Sequence, residues 1–178
     1  GFRLIAASGS GTPEDPAVLV EEFPEAAPVT LVIRRFGTLS GPSRDTFAPL
    51  ALVKVVTNRS NRVWAGFEVE LQEILKQPSI YYDGLSFNQF GVKPPDVSSD
   101  AFAKNDRLFE PYDRIRFSDG HVDPDLTASF RITITDPTPI AQFYLVQDPK
   151  LLSAGLPGAT EVTSRPRSAG GCTSCIGA

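Results

Sequence analysis

The sequence predicts an all-β protein built as an antiparallel sandwich, and three observations carry that expectation. From residue 63 to 73 the chain alternates strictly, with Ala65, Phe67, Val69 and Leu71 on one side and Glu68, Glu70 and Gln72 on the other. A period of two with one apolar face is a strand lying between a core and water. Residues 128–135 repeat the pattern, with Phe130, Ile132 and Ile134 opposite Ser129, Arg131, Thr133 and Thr135. Six to eight such runs are separated by Pro, Gly, Asn and Asp turns, and no helical pattern alternates with them. That spacing reads as an immunoglobulin-like sandwich with a long loop excursion and extended termini.

In chain order, residues 2–7 form a short strand-like segment, with Phe2, Leu4 and Ala6 alternating with Arg3, Ile5 and Ala7. Ser8-Gly-Ser-Gly11 then reads as a flexible joint, and Thr12-Pro-Glu-Asp-Pro16 as a turn, because proline fixes φ and aspartate closes an Asx-turn. Residues 1–11 are therefore taken as an N-terminal extension and 12–149 as the domain. Residues 17–23 and 29–36 are strands separated by Pro24 and Pro28. The β-branched run 50–57, the polar turn 58–62 and the alternating run after it read as a central hairpin. The second strand of that hairpin ends near residue 73, before Pro78.

Residues 78–112 are an excursion rich in Tyr, Phe, Asp, Gly, Ser and Pro, with a helical turn expected at 99–109 and Phe102 facing inward. A loop of this length in a compact domain is usually functional or packed by its own side chains. Residues 114–118 are a strand with Ile115 and Phe117 inward, and Asp119-Gly120 reads as a hairpin turn. Residues 142–147 are the last strand, and 150–178 a tail of Gly, Ala, Ser, Pro and Arg.

At 178 residues the chain is one domain with tails, large enough to fold on its own core. Its 17 basic and 21 acidic residues form no dense basic cluster, so a nucleic-acid footprint is not expected. No apolar stretch approaches the ~20 residues of a transmembrane helix. The sequence starts at Gly1 and contains no methionine. The expectation drawn from this is export, with a signal peptide removed before Gly1; simple trimming is the competing account.

Candidate sites are few. With His121 as the single histidine, no Ser-His-Asp triad is possible without it, and no nucleophile motif accompanies it. Asp119, Asp123 and Asp125 are calcium candidates as hard oxygen ligands, although turns hold aspartate for backbone reasons too. Asp83 with Asp113 or Glu110 is a possible catalytic carboxylate pair. Trp64, Tyr81 and Tyr82 are candidate stacking platforms for a sugar, the alternative being rings that pack the excursion onto the sandwich. Cys172 and Cys175 read as a local disulfide in the tail. Asn58-Arg-Ser60 matches an N-glycosylation acceptor in an accessible turn. Phe2, Leu4 and Ala6 are candidate assembly contacts, since a strand on a joint can add to a neighbouring sheet edge; the alternative is that residues 2–7 pair with their own sheet. No cofactor is expected.

The run from Asn58 to Phe67 (Asn-Arg-Ser-Asn-Arg-Val-Trp-Ala-Gly-Phe) resembles a hairpin found in secreted bacterial surface β-sandwiches. Tyr82-Asp-Gly-Leu-Ser-Phe87, Phe117-Ser-Asp-Gly120 and the opening turn into residues 17–20 are similar in style. The resemblance implies fold and compartment and transfers no site. The expected function is a non-catalytic, exported structural subunit of a cell-surface or extracellular assembly, a filament or larger complex of protein subunits. The rival is a carbohydrate- or calcium-binding module that uses the 78–112 excursion.

Overall fold

The computed structural model describes residues 1–34, 49–80, 83–87, 97–107, 111–137 and 140–152. Eleven strands lie in this part of the chain: β1 (Arg3–Ser8), β2 (Ala17–Phe23), β3 (Val29–Arg34), β4 (Leu50–Asn58), β5 (Trp64–Gln72), β6 (Ser86–Phe87), β7 (Val97–Ser99), β8 (Phe102–Asp106), β9 (Arg114–Gly120), β10 (Thr127–Thr135) and β11 (Gln142–Leu151). They form two facing sheets. The first runs β1-β2-β4-β10-β6, with β7 also on β10, and the second runs β3-β11-β5-β9-β8. Among the described residues there is no helix, and where a helical turn was expected at 99–109 the described part of that stretch holds the end of β7 and β8. Phe102 does face inward.

The inner faces carry the alternation read from the sequence. Phe67, Val69 and Leu71 of β5, Ile115 and Phe117 of β9 and Phe130 and Ile134 of β10 are fully buried. The sheets interlock through rings: Phe67 stacks on Phe130 with centroids 4.6 Å apart, and Phe117 meets Phe130 edge-on at 4.9 Å. Offset and edge-on pairs of this kind contribute beyond the area they bury.

The connections correct the expected hairpins. β4 lies in the first sheet and β5 in the second, so residues 58–62 form an arch across the sandwich. Asn58 explains the arch. Its side-chain oxygen accepts from the Ser60 amide and hydroxyl, and its amide nitrogen donates to the Arg62 and Val122 carbonyls. The side chain is fully buried, so Asn58 is no accessible glycosylation acceptor; it stitches this arch to the one after β9. Asp119-Gly120 is likewise no hairpin turn. β9 runs through Gly120, which pairs with Phe102 of β8, and the chain then crosses to β10. A Cβ on Gly120 would sit 2.0 Å from the Ala101 carbonyl oxygen, so glycine serves close strand approach there. Only β1–β2 and β8–β9 are sequence neighbours that pair.

One irregularity moves a large residue. Along β11, Lys150 opposes Gly66 and Leu151 opposes Trp64, so Ala65 is skipped as a bulge. The bulge reverses the alternation: Trp64 turns into the core, fully buried, and Ala65 is only half-buried.

The core also holds an ion pair. Lys54 alternates with Leu52 and Val56 on the inner face of β4, and its Nζ donates to Glu21 Oε1 of β2 at 2.6 Å. Both side chains are fully buried, and Glu21 Oε2 has no hydrogen-bond partner. Burial pushes the Lys54 amine below its ordinary value, and Glu21 only partly offsets this.

Candidate functional site

The strand registers define two poles. Arg3 of β1 opposes Glu22, Glu22 opposes Thr57 in the parallel β2–β4 pair, and Thr57 opposes Thr127. These residues lie at the pole of the 58–62 arch. At the other end of β4, Leu50 opposes Ile134, and Ile134 opposes Phe87. Seven residues of strand separate Thr57 from Leu50, which is roughly 23 Å.

β1 occupies the edge of the first sheet at the arch pole. Its expected role divides. Phe2 is spent in its own fold, packed edge-on against Phe23 at 5.2 Å, and so is no free assembly contact. Every residue from Arg3 to Ser8 is exposed, Leu4 at 51% and Ile5 at 55%. The register shifts between Leu4 and Ala6. The strand pairs with β2 of its own sheet, and Gly9 and Gly11 adopt left-handed φ in the return. Arg3 is 70% exposed and sits 3.8 Å from Glu22, a loose pair.

The opposite pole is built where β5 ends. The Ser79 amide donates to the Leu71 carbonyl, the Leu71 amide to the Asp113 carbonyl, and the Asp113 amide to the Ser79 carbonyl, each at 2.9 Å. These bonds fold residues 73–80 back over the strand ends. Around this turn stand exposed apolar side chains: Ile74 at 61%, Leu75 and Tyr112 at 49% and Ile80 at 40%. Ile80 and Tyr112 are bridged to each other.

Carboxylates also gather at this pole. Asp113 is buried and accepts from the Ser86 hydroxyl at 3.2 Å. Burial, with a contribution from the Asp83 charge, pushes its carboxyl up to about 6 against the help of Ser86, the Phe87 amide and Arg107. Glu73 is raised by burial and by the charges of Asp83 and Asp136. Asp83 and Asp113, the pair singled out in the sequence, are thus brought near each other; Glu110 lies outside the described residues. Asp83 also caps the turn by accepting from the Ile80 amide at 2.9 Å. The acids flank the ends of β5, β6, β9 and β10, so no local motif adds Glu73 and Asp136 to the pair offered by the sequence.

The outer face of the second sheet holds a shallow groove of about 210 Å³ between Glu68, Glu70, Arg114 and Lys150. Its charges are matched. Glu70 pairs with Arg114 across the strands, and Glu68 pairs with Arg116 at 2.6 Å and Lys150 at 3.1 Å. Burial alone would raise Glu68, but these two cations outweigh it and hold the carboxyl below its ordinary value.

The remaining candidates separate. Trp64 is a core residue against Phe23 and Phe67, and presents no face to a sugar. Tyr81, Tyr82, Cys172 and Cys175 lie outside the described residues. Asp119 pairs with Lys104, Asp125 with Arg59, and Asp123 lies 3.7 Å from His121. Among the described residues no group of three or more His, Cys, Asp or Glu side chains is placed to hold a metal ion, and no helix is long and apolar enough to cross a membrane. No family model, curated protein or solved structure matches the chain.

Proposed function

We propose that this chain is a non-catalytic structural subunit of an exported, cell-surface or extracellular protein assembly, with an immunoglobulin-like sandwich as its body and contacts made through its first strand. The observation that carries the reading is β1, an edge strand exposed along its whole length with Leu4 and Ile5 in water. An edge strand offers unpaired main-chain groups, and natural edges are commonly covered, charged or cut short. The edges formed by β6 and β7 are two and three residues long, β8 carries Lys104 in an exposed ion pair, and β3, as long as β1, is half-buried at every second residue and leaves Val32 as its exposed large aliphatic side chain. β1 has only Arg3 and a bulge to discourage pairing. The crossings between sheets and the buried Trp64 support the immunoglobulin-like assignment.

Mass photometry and sedimentation of the purified chain over a range of concentrations test the proposal. Oligomers that dissociate on dilution, and that Ile5→Pro abolishes without loss of the folded circular dichroism spectrum, are expected. A chain that stays monomeric at every concentration ends this reading.

A further inference from the structure

We infer that the outer face of the second sheet is a binding site for a neutral saccharide chain, with β11 supplying an apolar strip and β5 the groups that bind hydroxyls. The inference is independent of the assembly proposed above and uses neither β1 nor residues 78–112.

The observation that carries it is burial on the side away from the core. β5 turns Phe67, Val69 and Leu71 inward and Glu68, Glu70 and Gln72 outward. Outward polar side chains of a sandwich ordinarily stand in water, yet these three are only 7%, 8% and 7% exposed. Glu68 and Glu70 line the groove of about 210 Å³ together with Pro28, Arg114, Val146 and Lys150. Each polar group is held by a neighbour. Gln72 donates to Glu70 Oε1 at 2.7 Å and accepts from the Lys76 amide at 2.7 Å. Arg114 donates to Glu70 Oε2, Arg116 to Glu68 Oε1 at 2.6 Å, and Lys150 Nζ bridges Glu68 Oε2 and Asp148. Groups fixed in advance lose little freedom when a ligand arrives. Among the described residues Glu70 Oε1 accepts from Gln72 and Glu68 Oε2 from Lys150, which leaves each oxygen a lone pair for a hydroxyl.

The ligand class follows from charge and shape. The carboxylates on this face are matched by cations, so an ion gains little there, while a neutral hydroxyl-rich ligand finds acceptors already in place. Beside the polar row lies an apolar one. On β11, Tyr144 opposes Gln72 and Val146 opposes Glu70. Val32 of β3, 48% exposed, opposes Tyr144 from the other side. Gln142 donates to the Tyr144 hydroxyl at 2.8 Å and fixes the ring. A saccharide ring has the corresponding pair of surfaces, a C–H face that packs on aromatic and aliphatic side chains and a rim of hydroxyls. From Glu68 to Gln72 the row runs about 13 Å along β5, longer than one sugar ring, so the ligand is a chain lying along the strands.

Titration of the isotopically labelled chain with cellohexaose, xylohexaose, mannohexaose and chitohexaose, followed by nuclear magnetic resonance, tests this. At least one hexasaccharide is expected to bind, to move amide signals of β5 and β11, and to bind equally at low and high salt, because no net charge is engaged. Tyr144→Ala and Val32→Lys should each weaken it about tenfold, while Arg131→Ala, exposed on the outer face of the first sheet, should leave it unchanged. Circular dichroism and thermal melting check folding; Val32 is exposed, so its variant decides the matter if Tyr144→Ala melts early. Failure of all four saccharides to bind overturns the inference. Binding that moves only signals outside β5 and β11, or that survives Val32→Lys at full strength, also overturns it. So does binding confined to an acidic chain such as hexagalacturonate and abolished by salt. None of these results touches the assembly proposal, which the oligomeric state decides.

Discussion

The outer face of the second sheet and the acidic pole both hold carboxylates largely withdrawn from water, yet they behave in opposite ways. On the sheet face, Glu68 faces Arg116 and Lys150, and its carboxyl is held below the ordinary range. At the pole, Asp113 has a hydroxyl and another acid beside it, and its carboxyl rises to about 6. Burial acts in the same direction on both, so the neighbouring charge decides the outcome. The sheet face is internally neutralised and has little to gain from a charged partner. At the pole the help from Ser86, the Phe87 amide and Arg107 is smaller than the cost of burial next to another acid.

The comparison is sharpened most by its extreme, the Lys54–Glu21 pair inside the core. Lys54→Met should cost about 3–5 kcal/mol, because it leaves Glu21 buried without its cation. Lys54→Met/Glu21→Leu should recover most of that loss, since well-packed apolar residues often replace a buried pair at no net cost. Urea denaturation of the two variants measures both. If the single and double variants prove equally unstable, packing rather than charge governs the site.

Asp113 gives the next largest effect, through pH. Its folded pKa of about 6 lies above the ordinary 3.8. The fold therefore favours the protonated form, and that stability is fully present below pH 3.8 and lost as pH rises through about 6. The span corresponds to roughly 3 kcal/mol at most. Asp113→Asn should flatten the pH dependence of denaturation between pH 4 and 7 and leave the variant the more stable protein at pH 8. An unchanged slope would mean that Asp113 does not titrate as its surroundings imply.

Glu68 should show the smallest effect and the opposite sign. Its folded pKa is depressed, so its contribution is present above the unfolded value of 4.5 and fades as pH falls through the lower folded value. Glu68→Gln should cost about 1 kcal/mol near neutrality, since Arg116 is half in water and screening weakens the pair. The cost should shrink towards pH 3. A variant as stable as the parent at pH 7 would show that the ladder of ion pairs on this face contributes nothing.

Sequence periodicity located the strands well and their partners poorly. The inward residues of β9 and β10 were legible because each strand alternates without interruption. β5 was read one step wrong at its start, because a bulge at Ala65 leaves no signature in composition yet reverses which of Ala65 and Trp64 faces the core. The two supposed hairpins failed for one reason. Asn and Asp-Gly turns bend a chain, but a bend between two strands of one sheet and a bend between two sheets call for the same residues. The pole is legible only in part: the sequence offers Asp83 with Asp113 as a pair, but Glu73 and Asp136 lie far from them in the chain and meet them only once the sandwich has closed.

The place of β11 has a consequence for how this chain is made. The last strand lies in the interior of its sheet, between β3 and β5, and pairs along eight residues of β5 and six of β3. Until residue 151 has been synthesised, β3 has no partner among the named strands and β5 has only β9. The second sheet therefore cannot assemble progressively as the chain emerges. The second sheet must stay open, or only half-paired, until β11 is out. Most strand pairs join residues far apart in the sequence, β3 with β11 farthest of all, so the subsequent closure belongs with the slow, millisecond-to-second class of β-proteins. During that interval β3 and β5 are themselves open edges. A factor that recognises exposed strand edges would find them open for as long as this topology delays closure.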